Sequence, residues 1–319
     1  MTATLQIKRT TPLPLPPSGW FAFAYSITCD AKLAIMWTNC DIFRLQEAAL
    51  AKSGKWWDYQ PPDSAAFQIS IFDGKKLEHC VQAPLFHDLH VVFDQLPDGR
   101  WVIAPRYAQR GAPLAQIVGP GETPTKRIRL GEDIQSMQCS SDGSIWVGYG
   151  DIGCMISKTN AKQGIARFRP SGKRVWGFNS DKTIKKSFVD TAECLNVSKW
   201  GIYSVIWPGY VIVELGVAKP KFLRSRMESA NCLATDGHSM LLMDLTRHGS
   251  ANDLVSAAIL GPPAHASSRK SRRIWSGHIA IPKPIKSDMV AARGDTLHHV
   301  KDQKWMSLSL KDALAQVRS

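Results

Sequence analysis

Apolar and polar residues alternate along this chain in short runs, and the runs come in pairs joined by turn residues. The clearest pair is Asp133-Ile-Gln-Ser-Met-Gln-Cys-Ser-Ser-Asp-Gly-Ser-Ile-Trp-Val-Gly-Tyr149, which sets one run ahead of Asp142-Gly143 and another behind it. Asp98-Gly99 and Asp236-Gly237 hold the same place in two further pairs. Gly99 to Gly143 is 44 residues, and Gly143 to Gly237 is 94, twice 47, with a weaker copy at Trp200-Gly201 between them. Period-two alternation reads as half-buried strands, and Asp-Gly supplies the positive φ of a tight hairpin. Hairpins repeating at roughly 40–50 residues predict a β-propeller, a ring of small antiparallel sheets.

The pattern extends to six copies. The first is Phe21 to Cys29, a turn near Asp30-Ala-Lys32, and Leu33 to Trp37; the second is Leu89 to Phe93, then Trp101 to Ile103. The fourth pairs Cys194–Val197 with Ile202–Val205, and the fifth Asn231–Ala234 with Met240–Met243. The sixth pairs Met289–Ala292 with Leu297–Val300. Further strand candidates follow, at Gly164–Arg169 and Arg174–Phe178, and at Tyr210–Glu214 and Lys221–Leu223, so each blade counts four strands. The fold predicted is all-β, one domain over 1–319, with six blades and seven as the second choice. The last copy lacks a strand, and Thr4-Leu-Gln-Ile7 is expected to complete it and remove the open edges. Gln46 to Gly54 reads as a short inserted helix near 45–53, and Ser309 to Arg318 as a terminal helix or a frayed tail. Gly261 through Arg273 and Lys158 to Gly164 read as surface loops.

The core Asp142-Gly143-Ser-Ile145-Trp146-Val147-Gly148 resembles the propeller repeats of bacterial two-component sensor ectodomains and, more loosely, NHL and virginiamycin-B-lyase-type blades. The resemblance covers about 130–180 and part of 90–105. It implies a fold; those families have diverse functions, so it implies no activity.

A hydrophobic content of 44% with 21% charged residues fits a globular chain and not a disordered one. The longest apolar runs are strand-sized, far below the roughly 18 residues of a membrane span. The start shows no secretory pattern, so a cytoplasmic monomer is expected. Seven cysteines, an odd number with no Cys-x-x-Cys, indicate neither a disulfide framework nor a zinc ribbon. Cys29, Cys139, Cys194 and Cys232 fall where inner strands are expected and read as small buried residues. The net charge of +13 belongs wholly to residues 151–319. It is densest at Lys182 with Lys185-Lys186, from Lys219 to Arg226, and at Arg269-Lys270 with Arg272-Arg273. An acidic protein partner follows, contacting loops 182–190, 219–228 and 265–276. Nucleic acid is not expected, because few aromatics interleave these clusters and no binding module is present.

Gly148-Tyr-Gly-Asp-Ile-Gly153 matches a dinucleotide fingerprint, but no amphipathic helix follows it, so it reads as a strand and its exit loop. There is no nucleophile elbow, no His-Glu-x-x-His and no P-loop. His298 and His299 are adjacent on a strand, point to opposite faces and are not a chelating pair. Trp101 and Trp146 read as packing between blades; Trp56-Trp57, with Tyr59 and Pro61-Pro62, read as a packed insert or a contact patch.

In a propeller, loops entering the inner strands and loops joining second to third strands share one face with the channel mouth. That face is expected to receive His87, Asp88, His90, Glu132 and Arg247, and a ligand site of Asp133, Asp151, Asp190, Glu193, Trp207, Asp244 and His248. The leading function is a non-enzymatic binding protein without a cofactor, of which an immunity-type inhibitor is one form. The alternative is a metal-dependent lyase or lactonase-like hydrolase, with a divalent cation held by Asp133, Asp151, Glu193 and a histidine.

Overall fold

The computed structural model describes residues 4–55, 62, 64–83, 90–106, 115–120, 124–156, 158–184, 188–217, 219–225, 227–248, 254–263, 271–281 and 289–319. At 83, 124, 125, 156, 246–248, 263 and 271 only the backbone is described. Two N-terminal strands, β1 (Thr4–Gln6) and β2 (Arg9–Pro12), precede the first blade. That blade is β3 (Phe21–Ile27), β4 (Leu33–Thr38), β5 (Phe67–Phe72) and β6 (Leu77–Ala83), with helix α1 (Ile42–Ser53) between β4 and β5. The second is β7 (Val91–Gln95), β8 (Trp101–Pro105), β9 (Ala115–Val118) and β10 (Pro124–Ile128). The third is β11 (Ile134–Cys139), β12 (Ile145–Tyr149), β13 (Ile165–Phe168) and β14 (Arg174–Gly177), with α2 (Asp151–Ile156) after β12. The fourth is β15 (Thr191–Ser198), β16 (Gly201–Trp207), β17 (Val211–Leu215) and β18 (Lys221–Arg224). The fifth is β19 (Cys232–Thr235), β20 (Met240–His248), β21 (Leu254–Pro263) and β22 (Ser271–Ala280). The sixth is β23 (Met289–Arg293), β24 (Thr296–Lys301) and β25 (Lys304–Ser309), after which α3 (Leu310–Arg318) ends the chain.

Each inner strand (β3, β7, β11, β15, β19, β23) touches the next, and β23 touches β3, so six blades close a ring. The hydrophobic core is divided among the seams between blades. Phe67, Trp101 and Ile103 fill the first seam, Ile117, Ile145 and Tyr149 the second, and Trp146, Phe178 and Val213 the third. The ring therefore holds together by sheet-on-sheet burial at every seam and leaves its axis open to polar side chains. Trp101 and Trp146 are buried in these seams, as expected.

The first-to-second-strand turns repeat one device. Ser140 donates its hydroxyl to Asp142, Gly143 N donates to the Ser140 carbonyl at 2.9 Å, and Gly143 takes φ 78°. Thr28 and Asp30 do the same in the first blade, with Ala31 at φ 62° in the glycine's place.

Ring closure differs from the expected one. The sixth blade is completed by β2, which pairs antiparallel with β25 from Arg9–Ser307 to Pro12–Lys304. Thr4–Gln6 instead pairs parallel with His278–Ala280 of β22, as a fifth strand on the fifth blade. The pull on that segment is Leu5, buried to 1% exposure among Val255, Ile279 and Leu310. α3 holds it in place: the Gln6 N–H donates to Gln316 Oε1 at 2.8 Å, and Gln316 Nε2 donates to the Gln6 carbonyl at 2.9 Å.

Four local readings are corrected as well. α1 begins at Ile42, earlier than expected, because the Asp41 carboxylate accepts from Arg44 N at 3.1 Å as its N-cap, while Gly54 ends it in the left-handed region. Gly261–Pro263 and Ser271–Arg273 belong to the long β21–β22 hairpin, and Asn160–Gln163 is a 3₁₀ turn. Cys29 sits exposed at a turn, whereas Cys139 and Cys232 are buried.

Candidate functional site at the channel mouth

The inner strands of all six blades line a cavity of about 210 Å³ on the axis. Its end beneath the first-to-second-strand turns is sealed. Arg293, at the end of β23, donates Nη1 to Asp94 Oδ2 of β7 at 2.9 Å and Nη2 to the Cys139 carbonyl of β11. Asp94 is fully buried and accepts also from the N–H groups of Cys139 (2.6 Å) and Gln95 (2.8 Å). Burial pushes its carboxyl up against the opposing pull of Arg293. Asn196 of β15 donates to the carbonyls of Leu233 and Gly294, both at 2.8 Å, and accepts from Gly294 N. Gln138 bridges β11 to the Ala292 carbonyl at 3.1 Å and to Val197 N at 2.7 Å. The Thr235 N–H of the fifth blade donates to the Gly294 carbonyl at 2.7 Å, so this end of the sixth blade's first hairpin is bonded to the second, third, fourth and fifth blades across the axis.

The open end carries the predicted carboxylates, and they divide into two kinds. Asp133 is structural. It takes φ 55° and is buried; its Oδ2 accepts from Gly153 N in α2 at 2.9 Å and its Oδ1 from Gln135 Nε2 at 3.2 Å. A Cβ at Gly150 would overlap the Asp133 carboxylate and one at Gly153 the Glu132 carbonyl, which is why glycine recurs in Gly148-Tyr-Gly-Asp-Ile-Gly153. That segment does enter a helix, the six-residue α2, but the helix is clamped by a carboxylate, the place a dinucleotide phosphate would take.

Asp151, Glu193 and Asp244 form the second kind. Burial raises the Glu193 carboxyl above its ordinary value, and the neighbouring charges of Asp151 and Asp244 raise it further. Asp151 of the third blade and Asp244 of the fifth therefore each lie within electrostatic reach of Glu193 of the fourth. Burial also pushes the Cys154 thiol up to about 12, reinforced by Asp133, Asp190 and Asp151, so Asp190 belongs to the same neighbourhood. Asp190 N donates to the Trp207 carbonyl at 3.0 Å. Trp207 is 43% exposed, with its ring 5.1 Å from Tyr210. Phe188, Ile152 and Met155 are exposed large apolar residues on the connections of the same face. Among the described residues no group of three or more His, Cys, Asp or Glu side chains is placed to hold a metal ion.

His90 is exposed at the start of β7, and Glu132 is half-buried beside Asp133. Arg247 and His248 are described only as backbone of β20; His87, Asp88, Trp56, Trp57, Tyr59 and Pro61 lie outside the described residues. Lys185, Lys186, Arg269 and Lys270 also lie outside them. Lys182 lies on the β14–β15 connection, on the mouth face, whereas Arg272 and Arg273 pair with Gly261 and Leu260 at the opposite end of the ring. His298 and His299 are both buried; Trp305 Nε1 donates to His298 Nδ1 at 3.2 Å, and burial drops the His298 imidazole to about 3.

Asp94, Gln138, Asn196 and Arg293 escaped the sequence reading. Their one signal is a polar residue interrupting an inner-strand apolar run, as Asp94 follows Val91–Phe93 and Arg293 follows Ala291–Ala292.

No helix among the described residues is long and apolar enough to cross a membrane. No family model matches the chain, and no curated protein does. Solved structures resemble it at low identity. A fungal alcohol oxidase of the AA5 family, in complex with copper, aligns over 93% of this chain and 61% of its own, with 11% identity and a TM-score of 0.46. A puromycin hydrolase aligns over 91% and 43%, with 10% identity and a TM-score of 0.45. The β-propeller domain of the Trilobed protease from Pyrococcus furiosus aligns over 85% and 75%, with 10% identity and a TM-score of 0.38. The chain spans about three fifths of the oxidase and less than half of the hydrolase.

Proposed function

We propose that this propeller is a non-enzymatic binding protein whose open channel mouth receives a cationic segment of a partner protein. The observation that supports this reading is the half-buried Glu193 on the wall of the axial channel, with the charges of Asp151 and Asp244 within reach of it. Negative charges near a half-buried carboxylate disfavour its ionisation, and an inserted lysine or arginine relieves that cost. The exposed Trp207, whose carbonyl accepts from Asp190 N on the same face, supplies the apolar contact that anchors such an interface. On this reading the protein acts as a single unit, monomeric and cytoplasmic. Its resemblance to two-component sensor repeats and, more loosely, to NHL-type blades rests on Asp142 to Gly148.

The acidic partner expected from the charge excess is a second reading, favoured by one observation. Among the described residues β1 pairs with β22 only at His278–Ala280, and the exposed Arg272 and Arg273 lie on the other half of that outer strand. Such a strand takes an extended acidic peptide along its edge.

Thermal melts with three additives separate the readings. Tetra-arginine is expected to raise Tm, and the Glu193→Gln/Asp244→Asn double variant to abolish the rise; no rise contradicts the mouth as a cation-binding site. A rise with calcium, lost in the same variant, favours the lyase or hydrolase alternative. A rise with tetraglutamate, lost in Arg272→Glu/Arg273→Glu, favours the acidic partner.

A further inference from the structure

A larger cavity, about 340 Å³, opens between the sixth and first blades, and three local devices build it. The first is the turn Pro17-Ser-Gly-Trp20, where Trp20 N donates to the Pro17 carbonyl at 2.9 Å with Gly19 at φ 76°; it sets Trp20 on the cavity wall. The second is the N-terminus of α1, where the Asp41 cap fixes the first turn and Ile42 is buried, placing Phe43 on the facing wall. The third is the β24–β25 hairpin, whose Asp302 (φ 49°) and Gln303 (φ 58°) sit at the rim. The Gln303 carbonyl accepts from Leu13 N at 2.8 Å and ties the N-terminal segment to that rim.

The lining combines flat rings with polar groups of both signs. Phe21 is 46% exposed, and Trp20, Tyr25 and Phe43 are half-buried, so ring surface is accessible. Around them Asp41 and Asp302 offer acceptors, and Lys301 and the Gln303 amide offer donors. Such a lining has no positive excess to select a phosphate, although the chain carries +13; of its two carboxylates, Asp41 is spent on capping the positive end of α1, and Lys301 offsets Asp302, so no net charge is left to select an organic cation. Rings that take C–H faces, with donors and acceptors in alternation, match a neutral polyhydroxylated ring, and the volume suits a ligand of one or two such rings. We propose that the cavity between the first and sixth blades is a binding site for a neutral saccharide. It does not rest on the reading of the channel mouth.

Saturation-transfer NMR on the full chain tests this with the methyl glycosides of glucose, galactose, mannose and N-acetylglucosamine, and with benzyltrimethylammonium and glucose 6-phosphate for comparison. At least one methyl glycoside is expected to receive saturation, with affinity falling about tenfold in Phe21→Ala and in Asp302→Asn. Both positions are exposed, and near-ultraviolet circular dichroism identifies any variant that fails to fold. Glu193→Gln is expected to leave the binding unchanged. The site is overturned by transfer to none of the four glycosides, by transfer undiminished in both folded variants, by loss in Glu193→Gln, or by tighter binding of the cation or the phosphate.

Discussion

Ala31 stands at φ 62° where the matching turns of the second and third blades use Gly99 and Gly143. An L-residue in the left-handed region costs about 1–2 kcal/mol, partly offset by the greater unfolded-chain entropy of glycine. Ala31→Gly is therefore expected to stabilise the fold by up to about 1 kcal/mol, read from urea unfolding. Glu193 gives a pH prediction whose sign follows from the direction of its shift. Its carboxyl is raised in the folded state, so the folded protein holds that proton to higher pH than the unfolded chain does. Stability from this group is full below the ordinary glutamate value and is lost as pH rises through the raised one. Glu193→Gln should gain stability relative to the parent as pH rises from about 4 to 7. Unfolding curves at several pH values check it, and a pH-independent difference would remove Glu193 from the cluster.

At the scale of elements, hairpins were legible and their partners at the chain ends were not. Alternation and the turn residues locate every inner hairpin, because pleat and positive φ are local demands, although β15 begins three residues before the expected Cys194 and β20 runs five beyond Met243. Which N-terminal segment closes the ring is a contest between two short strands, and burial decides it: Leu5 finds an apolar seat under α3, leaving Arg9–Pro12 to pair with β25. Removing residues 1–7 should lower Tm by a few degrees, because it strips one short strand and one buried leucine. Removing residues 1–12 should cost far more, since β25 becomes an open edge. Equal losses from the two truncations would show that β2 does not close the ring. The mouth was legible in part. Asp151, Glu193 and Asp244 follow from knowing which connections share a face, but Asp133 is spent on clamping α2, and nothing in its sequence context distinguishes it from the others.

For the whole molecule, division of the core into seams makes the axis the place where polar groups must satisfy one another. Arg293 and Asp94 do this for the sealed end. Arg293→Met leaves a buried carboxylate unpaired and should destabilise by about 3–5 kcal/mol, whereas adding Asp94→Leu should restore much of the loss. Urea unfolding of both variants tests that sign reversal. Sealing at one end gives the carboxylates at the other their meaning, since whatever enters must enter past them. The most direct measurement uses methyl-labelled methionine NMR, with tetra-arginine added to the protein. Met137 and Met289 line the channel, whereas Met36 is buried in the seam between the first two blades. Saturable shifts of Met137 and Met289, with Met36 unmoved, are expected; a titration that leaves the two channel methyls unmoved would contradict the mouth as an entry for a cationic segment.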